Sequence, residues 1–192
     1  FELQRASFLK KCGFYEASLE IYNCIEGACE ALADEASLKM RYFRERARIL
    51  AIFERKEAAS ENFDRAQQLM EHQRATSVKY PKVLYLRGLA SKRQLSKLAL
   101  DKFEECLSSF CQIQGTEQSF FICQVRLEIA EVLKQQERLD EAQEQLGQAG
   151  LFLRDYFASK AIYGEFAGEQ HPLMSQFYLL QFELATARQA PA

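Results

Sequence analysis

The chain of 192 residues carries a formal net charge of −2, with 27% charged and 48% hydrophobic residues. That balance lacks the basic excess that neutralising a phosphate backbone requires, and no apolar run reaches the roughly 18 residues that cross a bilayer, so nucleic-acid binding and membrane insertion are not expected. Eight glycines and three prolines (Pro81, Pro172 and Pro191) are the few interruptions in runs rich in Ala, Leu, Glu, Gln, Lys and Arg, which predicts helix throughout and makes a sheet improbable.

In chain order, the pattern predicts helices at about 1–11 and 14–33, 37–55 and 58–77, 81–94 and 96–113, 117–136 and 139–163, then 172–189. Between paired helices the sequence turns polar, at Lys10-Lys11-Cys12-Gly13, Glu54-Arg55-Lys56-Glu57, Lys92-Arg93-Gln94 and Gln135-Gln136-Glu137-Arg138. Short polar connections of this kind join antiparallel neighbours into helical hairpins. Pro81 and Pro172 sit where a first helical turn tolerates a missing N–H, and Gly115 where a helix can end in a left-handed cap. No linker divides the chain, so it reads as one repeat domain over 1–192, with units at about 1–36, 37–78, 79–115 and 116–171 and a last helix at 172–189. The start at Phe1 and the unpaired last helix are expected of a piece of a longer chain.

The repeat appears as a small-large-small triplet in the second helix of each pair: Ala17, Ile21, Cys24; Ala59, Phe63, Ala66; Ala99, Phe103, Cys106; and Ala142, Leu146, Ala149. Offsets of four and three put each triplet on one stripe, where small ends admit a neighbouring helix and the large centre fills the gap. The leading alanines stand 42, 40 and 43 residues apart, enough for two helices and two turns. Nine residues earlier lie Phe8, Leu50, Ala90 and Leu133, and sixteen earlier Phe1, Phe43, Val83 and Arg126, the expected inward stripe of the preceding helix.

These features resemble the tetratricopeptide-repeat superfamily over nearly the whole chain, clearest in Ile129-Ala130, Leu133, Leu139, Ala142, Leu146 and Ala149. The family's small residue in the first helix is met by Ala47 and Ala130 and replaced by Arg5 and Arg87, with Gly88 fitting after a one-residue slip. A unit near 42 residues is similar to the long repeats of the kinesin light chains, as is Tyr163-Gly164 followed by His171-Pro172. The resemblance implies an all-α superhelix of four helical hairpins plus a terminal helix, whose concave groove holds peptides or partner helices. The chaperone-binding members of the family use groove asparagines, and the corresponding first-unit position here is Ala6.

The inventory offers no nucleotide-binding, zinc-protease or nucleophile-elbow motif, and only His72 and His171 to serve as imidazole groups. No enzymatic activity, cofactor or metal is expected. His171 reads as shaping the turn before Pro172, and His72 as part of a solvated face. The six cysteines (Cys12, Cys24, Cys29, Cys106, Cys111 and Cys123) contain no CxxC spacing and read as reduced thiols of an intracellular, cytoplasmic protein. Cys24 and Cys106 occupy the small slot of the repeat. Cys12 lies beside Lys10 and Lys11, which favour a thiolate. The aromatic pairs Phe120-Phe121, Tyr156-Phe157 and Phe177-Tyr178 divide between repeat packing and a partner patch.

The helix from Lys39 to Lys56 concentrates Lys39, Arg41, Arg44, Arg46, Arg48, Arg55 and Lys56 against Glu45 and Glu54. Arg41, Arg44 and Arg48 fall at i, i+3 and i+7, three guanidinium groups on one face, and Ile52 continues the row. Arginine forks suit carboxylate recognition, so the candidate partner site is Arg41, Arg44, Arg48 and Ile52 facing an acidic peptide or helix. The competing reading is a solvated basic helix paired with Glu128, Glu131, Asp140, Glu141 and Glu144. Three functions follow: a protein-interaction scaffold, an architectural segment of a large assembly, or a regulatory repeat domain of an enzyme.

Overall fold

The computed structural model describes residues 1–32, 35–71, 77–92, 96–113, 119–161 and 171–189. Among them lie ten helices and no strand: α1 (Glu2–Lys11), α2 (Tyr15–Cys24), α3 (Glu26–Ala31), α4 (Ala36–Ile52), α5 (Lys56–Gln68), α6 (Lys79–Ser91), α7 (Ser96–Cys111), α8 (Phe120–Gln135), α9 (Leu139–Ala161) and α10 (Pro172–Gln189). Two expectations are corrected. The helix expected over 14–33 breaks at Ile25 (φ −95°, ψ 4°), where Ile21, Ile25 and Gly27 supply weak helix formers, and α5 stops at Gln68 rather than near 77. Gly115, His72 and Tyr163-Gly164 lie outside the described residues.

The chain divides into two compact units, Phe1–Ala90 and Ser91–Ala192. In the first, α1 pairs with α2 and α4 with α5, while α4 also packs on α1, α2 and α3. Its core is Tyr22, Tyr42, Ile49, Phe63, Met70, Tyr80 and Leu84. Tyr42 donates to the Tyr22 carbonyl at 3.0 Å while the two rings meet edge to face. In the second unit α8 pairs with α9, α7 packs on α8, and α10 lies against both α8 and α9, around Phe103, Leu127, Ile129, Leu146 and Leu153. Gly150 on α9 lets α10 in: a Cβ there would stand 2.7 Å from the Phe177 ring.

The hairpin turns repeat in detail. Gly13, Glu54 and Glu137 all adopt positive φ (85°, 57° and 61°). At each, its N–H bonds three residues back, Gly13 to Lys10, Glu54 to Ala51 and Glu137 to Lys134, while the following N–H bonds five back, Phe14 to Leu9, Arg55 to Leu50 and Arg138 to Leu133. This is the Schellman closure, which favours glycine. Two of the three turns carry glutamate instead, which costs about 1–2 kcal/mol in the left-handed region.

The hairpins lock at paired small residues, and here the register of the first unit differs from expectation. Ala59, Ala99 and Ala142 are buried as predicted, but Ala17 and Cys24 are exposed and Ser18, Leu19 and Tyr22 are buried in their place. Ser18 donates to the Ala6 carbonyl at 2.7 Å. The first-helix small position is therefore Ala6, not Arg5, and Ala6 is a packing residue rather than a groove residue. Gly88 is buried and Arg87 half-buried, so the same one-residue slip applies there. Ala6, Ala47, Gly88 and Ala130 recur 41, 41 and 42 residues apart. Phe1 and Phe8, expected inside, are exposed because the slip turns them away from the hairpin.

Two outcomes are expected in urea unfolding. Ser18→Leu overpacks the Ala6 contact and costs about 1–3 kcal/mol, whereas Ala17→Leu stays within about 0.5 kcal/mol; the reverse order would restore the slipped register. Glu137→Gly relieves the left-handed backbone and raises stability by about 0.5–1 kcal/mol after the entropic cost of glycine. A lower midpoint for that variant would show the glutamate to be unstrained.

Candidate functional site

Arg41, Arg44 and Arg48 stand on α4 as predicted, and Ile52 ends the row half-exposed. What the sequence reading missed is the carboxylate among them. Glu45 is only 4% exposed and is held by three cations. Arg44 grips Oε1 with Nε at 3.0 Å and Nη2 at 2.7 Å, Arg48 Nη1 donates to Oε2 at 3.2 Å, and Lys10 of α1 donates to the same oxygen. Burial pushes the Glu45 carboxyl upward, but the bonds from Lys10 and Arg44 outweigh it and hold it below the ordinary glutamate value. Burial lowers Lys10 from its ordinary value, the bond and charge of Glu45 oppose that shift, and the neighbouring charges of Arg48 and Arg44 add a smaller push in the same direction as burial.

Arg41 makes no hydrogen bond or ion pair among the described residues. Beneath the row, Tyr22 is fully buried and its hydroxyl has no hydrogen-bond partner among the described residues. Burial, then the charge of Glu45, raises its ionisation well above the usual phenol range, with Arg41, Arg44 and Arg48 acting in the opposite sense. The hydroxyl thus stays neutral next to the charged row. The remaining basic residues of α4 are engaged elsewhere: Arg46 pairs with Glu26 at 2.5 Å and Asn23 at 3.1 Å, and Lys39 donates to the Glu30 carbonyl at 2.9 Å.

The acidic residues named in the competing reading have other partners. Glu128 and Glu131 meet Lys92 at 2.5 and 2.6 Å, Asp140 meets Arg188, Glu141 meets Arg138, and Glu144 accepts from Gln148. Among the described residues, the carboxylates that pair with α4 are instead Glu45 on the same helix and Glu26 on α3.

A shared device explains Lys10 and Glu45. With the repeats aligned on Ala6, Ala47, Gly88 and Ala130, the lysine lies four residues after a small residue and the glutamate two before the next. Lys92 and Glu128 hold the same relation, and so do Lys134 on α8 and Glu183 on α10. At the remaining junction the same two positions are Ala51 and Leu86. Lys10–Glu45 is thus a rung of the repeat, and its signal in the sequence becomes visible only in the corrected register.

On the opposite face of α4, Glu30, Lys39, Phe43, Arg65, Gln68 and Leu69 line a cavity of about 320 Å³. Its charges satisfy one another: Arg65 meets Glu30 at 3.1 Å and stacks over Phe43 at 5.3 Å. His171 caps α10, its Nδ1 accepting from the Leu173 N–H at 3.2 Å, and stacks on Phe120 at 5.0 Å. Phe120 also meets Phe152, Tyr156 and Phe157, and Phe121 meets Phe110, so these aromatics pack within the second unit. Tyr178 stays exposed. None of the six cysteines forms a disulfide; Cys106 and Cys123 are buried, and burial pushes Cys123 up to about 12. Among the described residues no three His, Cys, Asp or Glu side chains converge as metal ligands, and no helix is long and apolar enough to cross a membrane.

The crystal structure of BtubC (BKLC) from P. vanneervenii, a kinesin light chain-like protein with tetratricopeptide-like repeats, matches this fold with a TM-score of 0.70 at 16% identity. The match covers 86% of this chain and 64% of that one. The chain has an all-α helical-repeat fold. No protein-family model matches it, and no curated protein does either.

Glu45 should carry a measurable share of stability. Glu45→Ala leaves Lys10, Arg44 and Arg48 facing one another, a loss of about 3–5 kcal/mol, whereas Glu131→Ala, half-exposed, costs no more than about 1 kcal/mol. Because the folded carboxyl titrates below its unfolded value of about 4.3, its contribution is complete above that pH and fades as pH falls through the folded value. Unfolding of the parent and Glu45→Gln, followed downward from neutral pH, should give a gap that narrows only in that acidic window. A gap independent of pH would contradict the ion-pair account.

Proposed function

We propose that this chain is a non-catalytic, tetratricopeptide-type scaffold of the cytoplasm that holds an acidic protein segment against the arginine row of α4. The observation that supports this reading is a surplus of charge measured against an internal control. Each rung in the second unit centres on a lysine and a buried or half-buried glutamate, Lys92–Glu128 and Lys134–Glu183, with Glu131 adding a second anion to the former. The rung at Lys10–Glu45 has the same two groups and, in addition, Arg41, Arg44 and Arg48. Repeat packing accounts for the lysine and the glutamate; it does not account for three further cations beside them.

Surplus cations at a half-buried site repel one another, and an incoming carboxylate relieves that repulsion while gaining charge-assisted hydrogen bonds. Ile52, exposed one turn beyond Arg48, adds an apolar contact. A second reading, an architectural segment of a larger assembly, draws on the exposed Tyr178, Leu179 and Phe182 of α10, an apolar strip of the kind that protein contacts cover.

Fluorescence anisotropy with a glutamate-rich peptide tests the first reading. The parent should bind, lose affinity as salt rises from about 50 to about 300 mM, and bind at least about tenfold more tightly than Arg41→Glu/Arg48→Glu, with circular dichroism showing both folded. Equal affinity of the two proteins would remove the arginine row from the site and leave the architectural reading.

A further inference from the structure

The row has a length and a spacing, and these narrow the partner further, on the basis of the reading above. Arg44 is spent: both its Nε and Nη2 are committed to Glu45. Arg48 gives Glu45 one bond from Nη1 and keeps 41% of its side chain exposed, and Arg41 gives none. The two guanidinium groups open to a ligand are thus seven residues apart on one helix, about 10.5 Å along its axis. Ile52 lies four residues beyond Arg48, about 6 Å further. At 100° per residue all three point the same way, so the site is a straight line parallel to α4: cation, cation, apolar.

A polyproline-type chain, which repeats a face every three residues and about 9.3 Å, spans the two cations but not the further step of about 6 Å to Ile52, and a β-strand does not match the line either. Its rise of about 3.4 Å per residue reaches the required distance at an offset of three, and an odd offset sends the two side chains to opposite faces. Offsets of two or four keep one face but fall about 3–4 Å short or long. A helix matches, because residues seven apart share a face at the same rise as α4 itself. We infer that the ligand of the α4 row is an amphipathic helix lying along α4, with two carboxylates seven residues apart and a large apolar residue four positions outward of one of them. The pattern holds for a parallel or an antiparallel partner, since reversing the helix reverses the order without changing the spacings.

The test uses this chain and three fluorescein-labelled helical peptides of one composition. One carries Glu at i and i+7 with Leu at i+11, one Glu at i and i+4 with Leu at i+8, and one Glu at i and i+9 with Leu at i+13. The first should bind at least about fivefold more tightly than the others, and Arg41→Gln or Arg48→Gln should each erase that preference while Arg5→Gln, an exposed residue of α1, preserves it. Equal binding of all three peptides, abolished by Arg41→Glu/Arg48→Glu, would overturn the helix and its spacing while leaving an acidic-segment scaffold in place. Absence of binding by every peptide would overturn both.

Discussion

The close approach of two helices at paired small side chains is the constraint on which the rest of the structure depends. Ala6 meets Ser18, and the pairs Ala47–Ala59 and Ala130–Ala142 stand at the same twelve-residue separation, all of them buried. Such a contact tolerates little extra volume, so it fixes where one helix crosses its neighbour and how each is rotated. Once rotation is fixed, every other position has a destination. The large residue of the triplet enters the core, the turn closes seven residues after the small residue in the left-handed region at Gly13, Glu54 and Glu137, and the lysine four residues after the small residue faces the next junction. The polar turns satisfy the helix ends through backbone bonds, without side-chain caps at the starts of α2 and α5.

This dependence explains what the sequence made legible. Helix order and most boundaries followed from the scarcity of breakers and the spacing of apolar residues, although the one helix expected over 14–33 is two, α2 and α3, and the second-helix stripe was correct at Ala59, Ala99 and Ala142. It slipped by one at Ala17 because serine is small enough to fill the slot, and its hydroxyl is satisfied by the Ala6 carbonyl. A pattern that searches for alanine or cysteine passes over such a residue. The arginines were legible as a row, but Glu45 was counted only as one charge against many. Its burial depends on Lys10 of a different helix, a long-range fact that one helix's periodicity does not contain.

The rungs also bear on why charge is buried here at all. Paired ions taken from water gain little net stability over a well-packed apolar substitute, and the junction at Ala51 and Leu86 shows that the same scaffold position accepts apolar residues. Stability alone therefore does not call for Lys10–Glu45, Lys92–Glu128 and Lys134–Glu183. What a rung supplies is direction: a lysine finds its partner only when the neighbouring helix stands in one register, whereas an apolar pair accepts several.

At Glu45 that registry element is combined with something the other rungs lack. A carboxylate already bonded to Lys10 fixes Arg44 side-on and draws in one nitrogen of Arg48, so the row is held in place before any ligand arrives and less side-chain freedom remains to be lost on binding. The corresponding row on α10 holds the same glutamate, Glu183, but places Leu179 and Phe182 where α4 has Arg41 and Arg44. One scaffold position thus presents cations in the first unit and apolar side chains in the second. The repeat determines where a side chain stands, and the residue chosen there determines what it can recognise.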